Sequence, residues 1–175
     1  MATTVSQRAT FSIVTTEESS SGLGTTRKVH SLLHEGTTGP DFKVYPTGTT
    51  AASQQQDKVA SATGSLVATT LALDLAGGLT DIEGVAITMV EVTGITIKNK
   101  STVSGEILIV GAGSNPLLNW IKATGDAVHI GPSGILHITS PIDGYAITAS
   151  TGDILTIDSG AATISYEYII HGRSA

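Results

Sequence analysis

The stretch that decides the fold is residues 127–170, AVHIGPSGILHITSPIDGYAITASTGDILTIDSGAATISYEYII. It divides into short apolar runs separated by compact turn signals. Ala127–Ile130 ends at Gly131-Pro-Ser-Gly134, and Ile135–Thr139 ends at Pro141-Ile-Asp-Gly144. Tyr145–Ala149 ends at Ser150-Thr-Gly152, Asp153–Ile157 ends at Asp158-Ser-Gly160, and the last run begins at Thr163. Runs spaced every 8–12 residues, with Gly, Pro, Asp and Ser between them, are the pattern of a β-sandwich or barrel and not of βαβ units. In the last run Ile164, Tyr166, Tyr168 and Ile170 fall on one face, opposite Ser165, Glu167 and Ile169. That period of two predicts a strand with one buried side.

The pattern continues upstream to Leu66. Leu71, Leu73 and Leu75 alternate before Gly77-Gly78, Val85–Val92 forms a further run, Ile95-Thr-Ile97 follows Gly94, and Glu106–Val110 precedes the turn-rich Gly111-Ala-Gly-Ser-Asn-Pro116. These runs make residues 66–172 a β-sandwich core. Residues 1–65 read as N-terminal strands plus an extended arm, the whole forming a single domain. Two strand-like runs, Ala9–Thr15 and Thr25–Leu33, flank a polar interruption, Glu17–Gly24. Residues 36–65 carry few large apolar groups beyond Phe42, Val44 and Tyr45, and read as a long loop or an arm lying on something else. Helix is confined to two short candidates, Ser53–Ala60 and Asn115–Lys122, the second with Pro116 after an Asn cap. The fold class is therefore all-β: a two-sheet, jelly-roll-like sandwich with an extended N-terminal arm and a long loop.

Composition narrows the function classes. The chain has 175 residues, enough for one buried core, and no cysteine, which removes disulfides and thiolate chemistry. Only 14% of residues are charged and the net charge is −6, so the clustered Lys and Arg of a nucleic-acid surface are missing. The longest unbroken aliphatic stretch, Ile107–Val110, is far below the ~20 residues of a membrane helix. The N-terminus MATTVSQRAT has no basic region followed by an apolar one, and is read as made without export through the general secretory route.

Motifs that carry chemistry are equally sparse. There is no phosphate-cradling GxxxxGK[ST], no GxSxG elbow, no HExxH and no DxDxDG calcium loop. Gly22-Leu-Gly24 and Gly111-Ala-Gly113 read as turns. His30 and His34 are four apart, and His129 and His137 flank the Gly131–Gly134 turn as a prospective cross-strand pair, yet neither pair has a third ligand. Asp143, Asp153 and Asp158 sit where tight turns select Asp for its backbone hydrogen bonds. Asn99-Lys-Ser101 is formally a glycosylation sequon and reads as incidental. No catalytic, metal or cofactor site is expected. Trp120, the single tryptophan, lies among Leu117, Leu118 and Ile121, a grouping that points to a buried plug or a subunit contact. The candidate protein-contact residues are Phe11, Phe42, Tyr45, Leu117, Leu118, Trp120 and Ile121.

Several segments together carry a resemblance to small virion proteins of tailed bacteriophages. They are Leu73-Asp-Leu75 with Leu79-Thr-Asp81 and Gly84, Val92–Asn99 (VTGITIKN), Gly131-Pro-Ser-Gly134, Pro141 through Gly144-Tyr-Ala-Ile-Thr148, Gly152-Asp-Ile-Leu-Thr-Ile157, and Ser165-Tyr-Glu-Tyr-Ile-Ile-His-Gly172. The resemblance spans residues 66–172 and leaves out the N-terminal third. It implies a non-enzymatic, homotrimeric capsid decoration or cement protein that binds the major capsid protein on the outer surface of the virion and stabilises the shell. It implies no catalytic residues. The acidic charge fits an outer position, away from packaged DNA. Such a protein is made in the cytoplasm of the bacterial host and meets neither nucleic acid nor membrane. The alternative is a tail-fibre or receptor-binding module recognising a host glycan or surface protein; a hydrolase on the same scaffold is a third, weaker reading.

Overall fold

A computed structural model describes residues 48–174 except 82, 83, 112, 118, 122 and 124, together with the backbone of four strands between residues 7 and 45. The chain divides into two compact units, one containing Thr47–Ala175 and one comprising Ser6–Pro46. The smaller unit holds two antiparallel ladders. Strand β1 (Gln7–Ala9) pairs with β4 (Lys43–Tyr45), and β2 (Ser12–Ser21) pairs with β3 (Gly24–Leu33). The stretch Glu17–Gly24, expected as an interruption, lies largely inside β2. Glu17 and Glu18 stand in register with Lys28 and Arg27, so residues of opposite charge occupy facing positions and a polar segment can still pair.

The larger unit is a sandwich. Its first sheet has five strands: β12 (Ile135–Thr139), β9 (Glu91–Asn99), β15 (Thr163–Arg173) and β5 (Lys58–Val67) in that order, with β13 (Tyr145–Ala146) also on β9. The second sheet runs β11 (Ala127–Ile130), β10 (Leu108–Gly111), β14 (Ile154–Asp158), β6 (Thr70–Asp74). Between β6 and β9 lies a small hairpin, β7 (Leu79–Thr80) with β8 (Ala86–Ile87). All these ladders are antiparallel. Five successive pairs cross between the sheets: β5 to β6, β9 to β10, β11 to β12, β13 to β14 and β14 to β15. That wrapping, with the last strand set between the first and second of its sheet, is the jelly roll expected from the turn spacing.

The period-two pattern places the core. Ile164, Tyr166, Tyr168 and Ile170 of β15 are buried, as are Ile95 and Ile97 of β9, facing Leu73, Leu108, Val110, Leu155 and Ile157 of the second sheet. Each such aliphatic side chain contributes roughly 1.5–3 kcal/mol on burial. The rings of Tyr166 and Tyr168 stack with centroids 6.3 Å apart, and Tyr166 lies over Gly64, where a β-carbon would stand 2.5 Å from the phenol oxygen. Gly94 does not end a strand. It lies within β9, and the ladder with β15 slips by one residue beside it, between His171 and Gly172.

Three expectations need correction. The core begins at β5, inside the zone read as loop, because Ala60 and Leu66 are the only buried residues of that ten-residue strand and its small side chains hide the alternation. The helix expected at Ser53–Ala60 is a single 3-10 turn, Ala51–Ser53, stopped by Gln54 at φ 54°. Among the described residues of Asn115–Lys122 there is no helix: Asn115 has φ 52°, Pro116 bridges to Ile154, and the Leu117 amide donates to the Ile154 carbonyl at 2.9 Å.

The C-terminal strand is clamped at its far end. Arg173 is 1% exposed. Its Nε and Nη2 donate to Glu91 Oε2 at 2.8 and 2.5 Å, Nη1 donates to the Pro141 carbonyl at 2.7 Å, and Nη2 to the Ile142 carbonyl at 3.0 Å. The next residue, Ser174, donates its amide and hydroxyl to Asp57 at 2.7 and 2.5 Å. Partial burial raises the Asp57 pKa, but these bonds from Ser174, together with Lys58, outweigh it and hold the carboxyl below its ordinary value. Removing one member of a buried ion pair strands the other, at a cost of about 3–5 kcal/mol. Glu91→Ala is therefore expected to lower the unfolding free energy by that amount in urea titration. Glu167→Ala, on the open sheet face, is expected to change it by no more than ~0.5 kcal/mol.

Candidate functional site

The two sheets differ in how their outer faces are covered. At the centre of the four-stranded sheet the outward-facing Thr156 is buried. Its Oγ1 donates to the Gly111 carbonyl at 2.7 Å, and a β-carbon at Gly113 would lie 2.6 Å from its methyl group, so the chain leaving β10 passes over it. The outer face of the five-stranded sheet is more open. Period-two geometry brings Ile135, His137 and Thr139 of β12 into line with Thr96 and Lys98 of β9, then Glu167, Ile169 and His171 of β15, then Val59, Ser61, Thr63, Ser65 and Val67 of β5.

On this face Ile135 is 61% and Val67 67% exposed, and Ile169 is also in contact with solvent. Two grooves run along it. One, of about 240 Å³, is lined by Thr96, Lys98, Ile135, Glu167, Tyr168 and Ile169; the other, of about 320 Å³, lies between β15 and β5 beside Ser61 and Thr63. Lys98 and Glu167 stand in register at the centre. The surface is otherwise β-branched and hydroxylic.

One end of the face is closed. His171 is buried beside Gly94, where a β-carbon would make only ordinary contacts, 3.6 Å from His171 Cδ2 and 3.5 Å from the Thr139 methyl. His171 Nδ1 makes no hydrogen bond within the described residues. Burial, aided by His137, lowers its pKa to about 4. On β12 His137 Nδ1 shares a hydrogen bond with Thr96 Oγ1 at 2.8 Å. His137 does not face His129, a pairing that the turn between them had left open. His129 is on β11 and His137 on β12, in opposite sheets, because the Gly131–Gly134 turn crosses the sandwich instead of closing a hairpin. Among the described residues no group of three His, Cys, Asp or Glu side chains has metal-binding spacing.

The sequence-derived contact residues fare unevenly. Leu117 is 1% exposed and belongs to the core, packed beside β14, so it has no surface to offer a partner. Trp120 is half-buried against the same core with its Nε1 enclosed and unbonded, and Ile121 is half-buried. Phe11, Phe42 and Leu118 lie outside the described residues; Tyr45 is in β4, where the backbone alone is described. The open sheet face was not identified from sequence. Its signal was the alternate set Ser165, Glu167, Ile169, polar enough to read as ordinary solvent exposure. The sequon is closed to modification in the folded chain: Asn99 is buried, its Nδ2 donating to the Glu106 and Ile130 carbonyls and its Oδ1 accepting from the Ser101 amide.

The fold and this surface define a jelly-roll sandwich whose five-stranded sheet keeps an open outer face. No protein-family model, curated protein or solved structure matches the chain.

His171 makes stability depend on pH. An unfolded histidine titrates near 6.5, so between that value and about 4 the unfolded chain binds a proton that the folded chain refuses. This histidine's share of stability is complete above pH 6.5 and is lost as pH falls to about 4, a change of about 3 kcal/mol. Urea titrations at pH 7 and pH 4.5 are expected to show a smaller pH-dependent loss for His171→Leu than for the natural chain. Equal losses would contradict the burial argument.

Proposed function

We propose that the chain is a non-enzymatic structural protein of a virion, a capsid decoration or cement subunit that binds the major capsid protein on the outer surface of the shell and stabilises it. The observation that carries this reading is the open outer face of the five-stranded sheet, where Ile135 and Ile169 stand exposed among Thr and Ser on a rigid two-layer body. Two further features support it. The body is held by tight turns whose Asp side chains cap backbone amides, as Asp153 does for Ser150 at 2.6 Å and Asp158 for Gly160 at 2.7 Å. The separate Ser6–Pro46 unit holds a paired ladder of its own. Isolated two-stranded ladders are at best marginally stable in water, so this one gains from packing on a further surface.

A cement protein acts by binding energy spread over a broad contact. About 1,000 Å² of complementary surface is enough for a specific interface, and apolar burial contributes roughly 25 cal/mol per Å². Shell rupture must then break those contacts, which raises its barrier. Added to emptied shells of the phage concerned, the purified chain is expected to cosediment with them and to raise their rupture temperature. Replacing both Ile135 and Ile169 by Glu is expected to weaken binding at least tenfold, about 1.4 kcal/mol, with the fold intact by circular dichroism. Failure to bind, or binding with no gain in shell stability, would contradict the proposal.

A further inference from the structure

Strand β5 forms one lateral edge of the five-stranded sheet, and among the described residues it pairs with β15 alone. Edge strands usually carry protection against further pairing: short length, charge, proline or a bulge. The other three lateral edges of the sandwich are short, with β12 and β6 five residues long and β11 four. The β5 edge is ten residues long, and from Val59 to Val67 it has no charge and no proline. Its register with β15 is unbroken over that span. Ser61, Ala62, Thr63, Ser65 and Val67 are all exposed.

The strand is also nearly palindromic. Val59-Ala-Ser-Ala-Thr-Gly-Ser-Leu-Val67 reads from either end as Val, small or aliphatic, Ser, small, Thr63. Laid antiparallel on a second copy about Thr63, it sets Val59 against Val67, Ser61 against Ser65 and Thr63 against itself. Ala62 meets Gly64, and Ala60 meets Leu66. Like β-branched and hydroxyl residues in facing positions are favourable cross-strand pairs. The backbone agrees with this register. The Ala68 amide donates to the Ala162 carbonyl at 2.9 Å, just beyond the Val67–Thr163 position. Backbone groups alternate in direction along a strand, so the even-numbered residues of β5 face β15 and the odd-numbered ones face the open edge. Val59, Ser61, Thr63, Ser65 and Val67 therefore present the free amides and carbonyls that a two-fold ladder centred on Thr63 uses.

We infer that β5 is a self-association edge, which pairs antiparallel with β5 of a second copy about Thr63 and joins the two five-stranded sheets into one. The interface is isologous, the same strand on both sides. The pairing requires only this chain and goes beyond shell binding, so it is tested without shells. In sedimentation equilibrium at micromolar concentration, the full chain is expected to form dimers. Thr63→Lys and Thr63→Glu, each placing like charges face to face, are expected to raise the dissociation constant at least tenfold. An equal mixture of the two variants is expected to restore association, since Lys then meets Glu. Val103→Lys, at an exposed site on the β9–β10 connection, is expected to leave association unchanged, and thermal unfolding checks that each variant folds. A monomeric natural chain, an oligomer whose mass neither Thr63 variant alters, or a mixture no more associated than its components would overturn the inference.

Discussion

Every other part of the sandwich depends on the placement of the C-terminal strand. β15 must enter between β5 and β9, strands that are far from it in sequence, and it hydrogen-bonds to both along most of its length. Without it the five-stranded sheet is split and Ile164, Tyr166, Tyr168 and Ile170 leave the core. Hydrophobic alternation selects the buried face of β15 but does not stop the strand from fraying at its end. The clamp at Arg173 and Ser174 does that, tying the strand to β9, to the turn after β12 and to the residue before β5. A guanidinium at 1% exposure is tolerable because a carboxylate and two carbonyls receive its donors.

Much of the fold was legible in the sequence, for identifiable reasons. The alternation in Leu71–Leu75 and Thr163–Ile170 marked strands correctly because one face of each packs into the core, with Leu73, Leu75, Ile164, Tyr166, Tyr168 and Ile170 buried and Leu71 partly so. Asp153 and Asp158 were correctly read as turn residues because their carboxylates cap nearby amides. β5 was missed because its core side is mostly Ala and Gly, which leave room for the Tyr166 ring over Gly64 and place Ala62 opposite Tyr168 on the neighbouring strand. A Gly-Pro-Ser-Gly turn announces a reversal but not whether the chain returns to its own sheet or crosses to the other. That ambiguity placed His129 and His137 together on paper and in opposite sheets in the fold. The candidate surface was harder still, since exposure of a sheet face depends on what the rest of the chain leaves uncovered. Leu117 shows the converse: an apolar cluster in a turn-rich segment read as a buried plug or a subunit contact, and this leucine is used by the chain's own core.

The functional reading rests on a division of labour between faces and edges. The four-stranded sheet has its centre closed by the chain leaving β10, whereas the five-stranded sheet keeps a broad face of Ile, Thr and Ser open. Pairing at β5 would double that face while retaining one orientation, giving two copies a common platform for a shell. His171 sits at one margin of the same face as a buried neutral group, so acidification weakens the body that presents it.

The central claim is that this sandwich is worn on the outside of a capsid. The most direct measurement is a cryo-electron microscopy map of the phage particle at a resolution that separates the two sheets. The account predicts density for the jelly roll on the outer surface of the shell, with the open face of the five-stranded sheet against the major capsid protein. Density confined to the tail or its fibres, or to the interior of the shell, would contradict it.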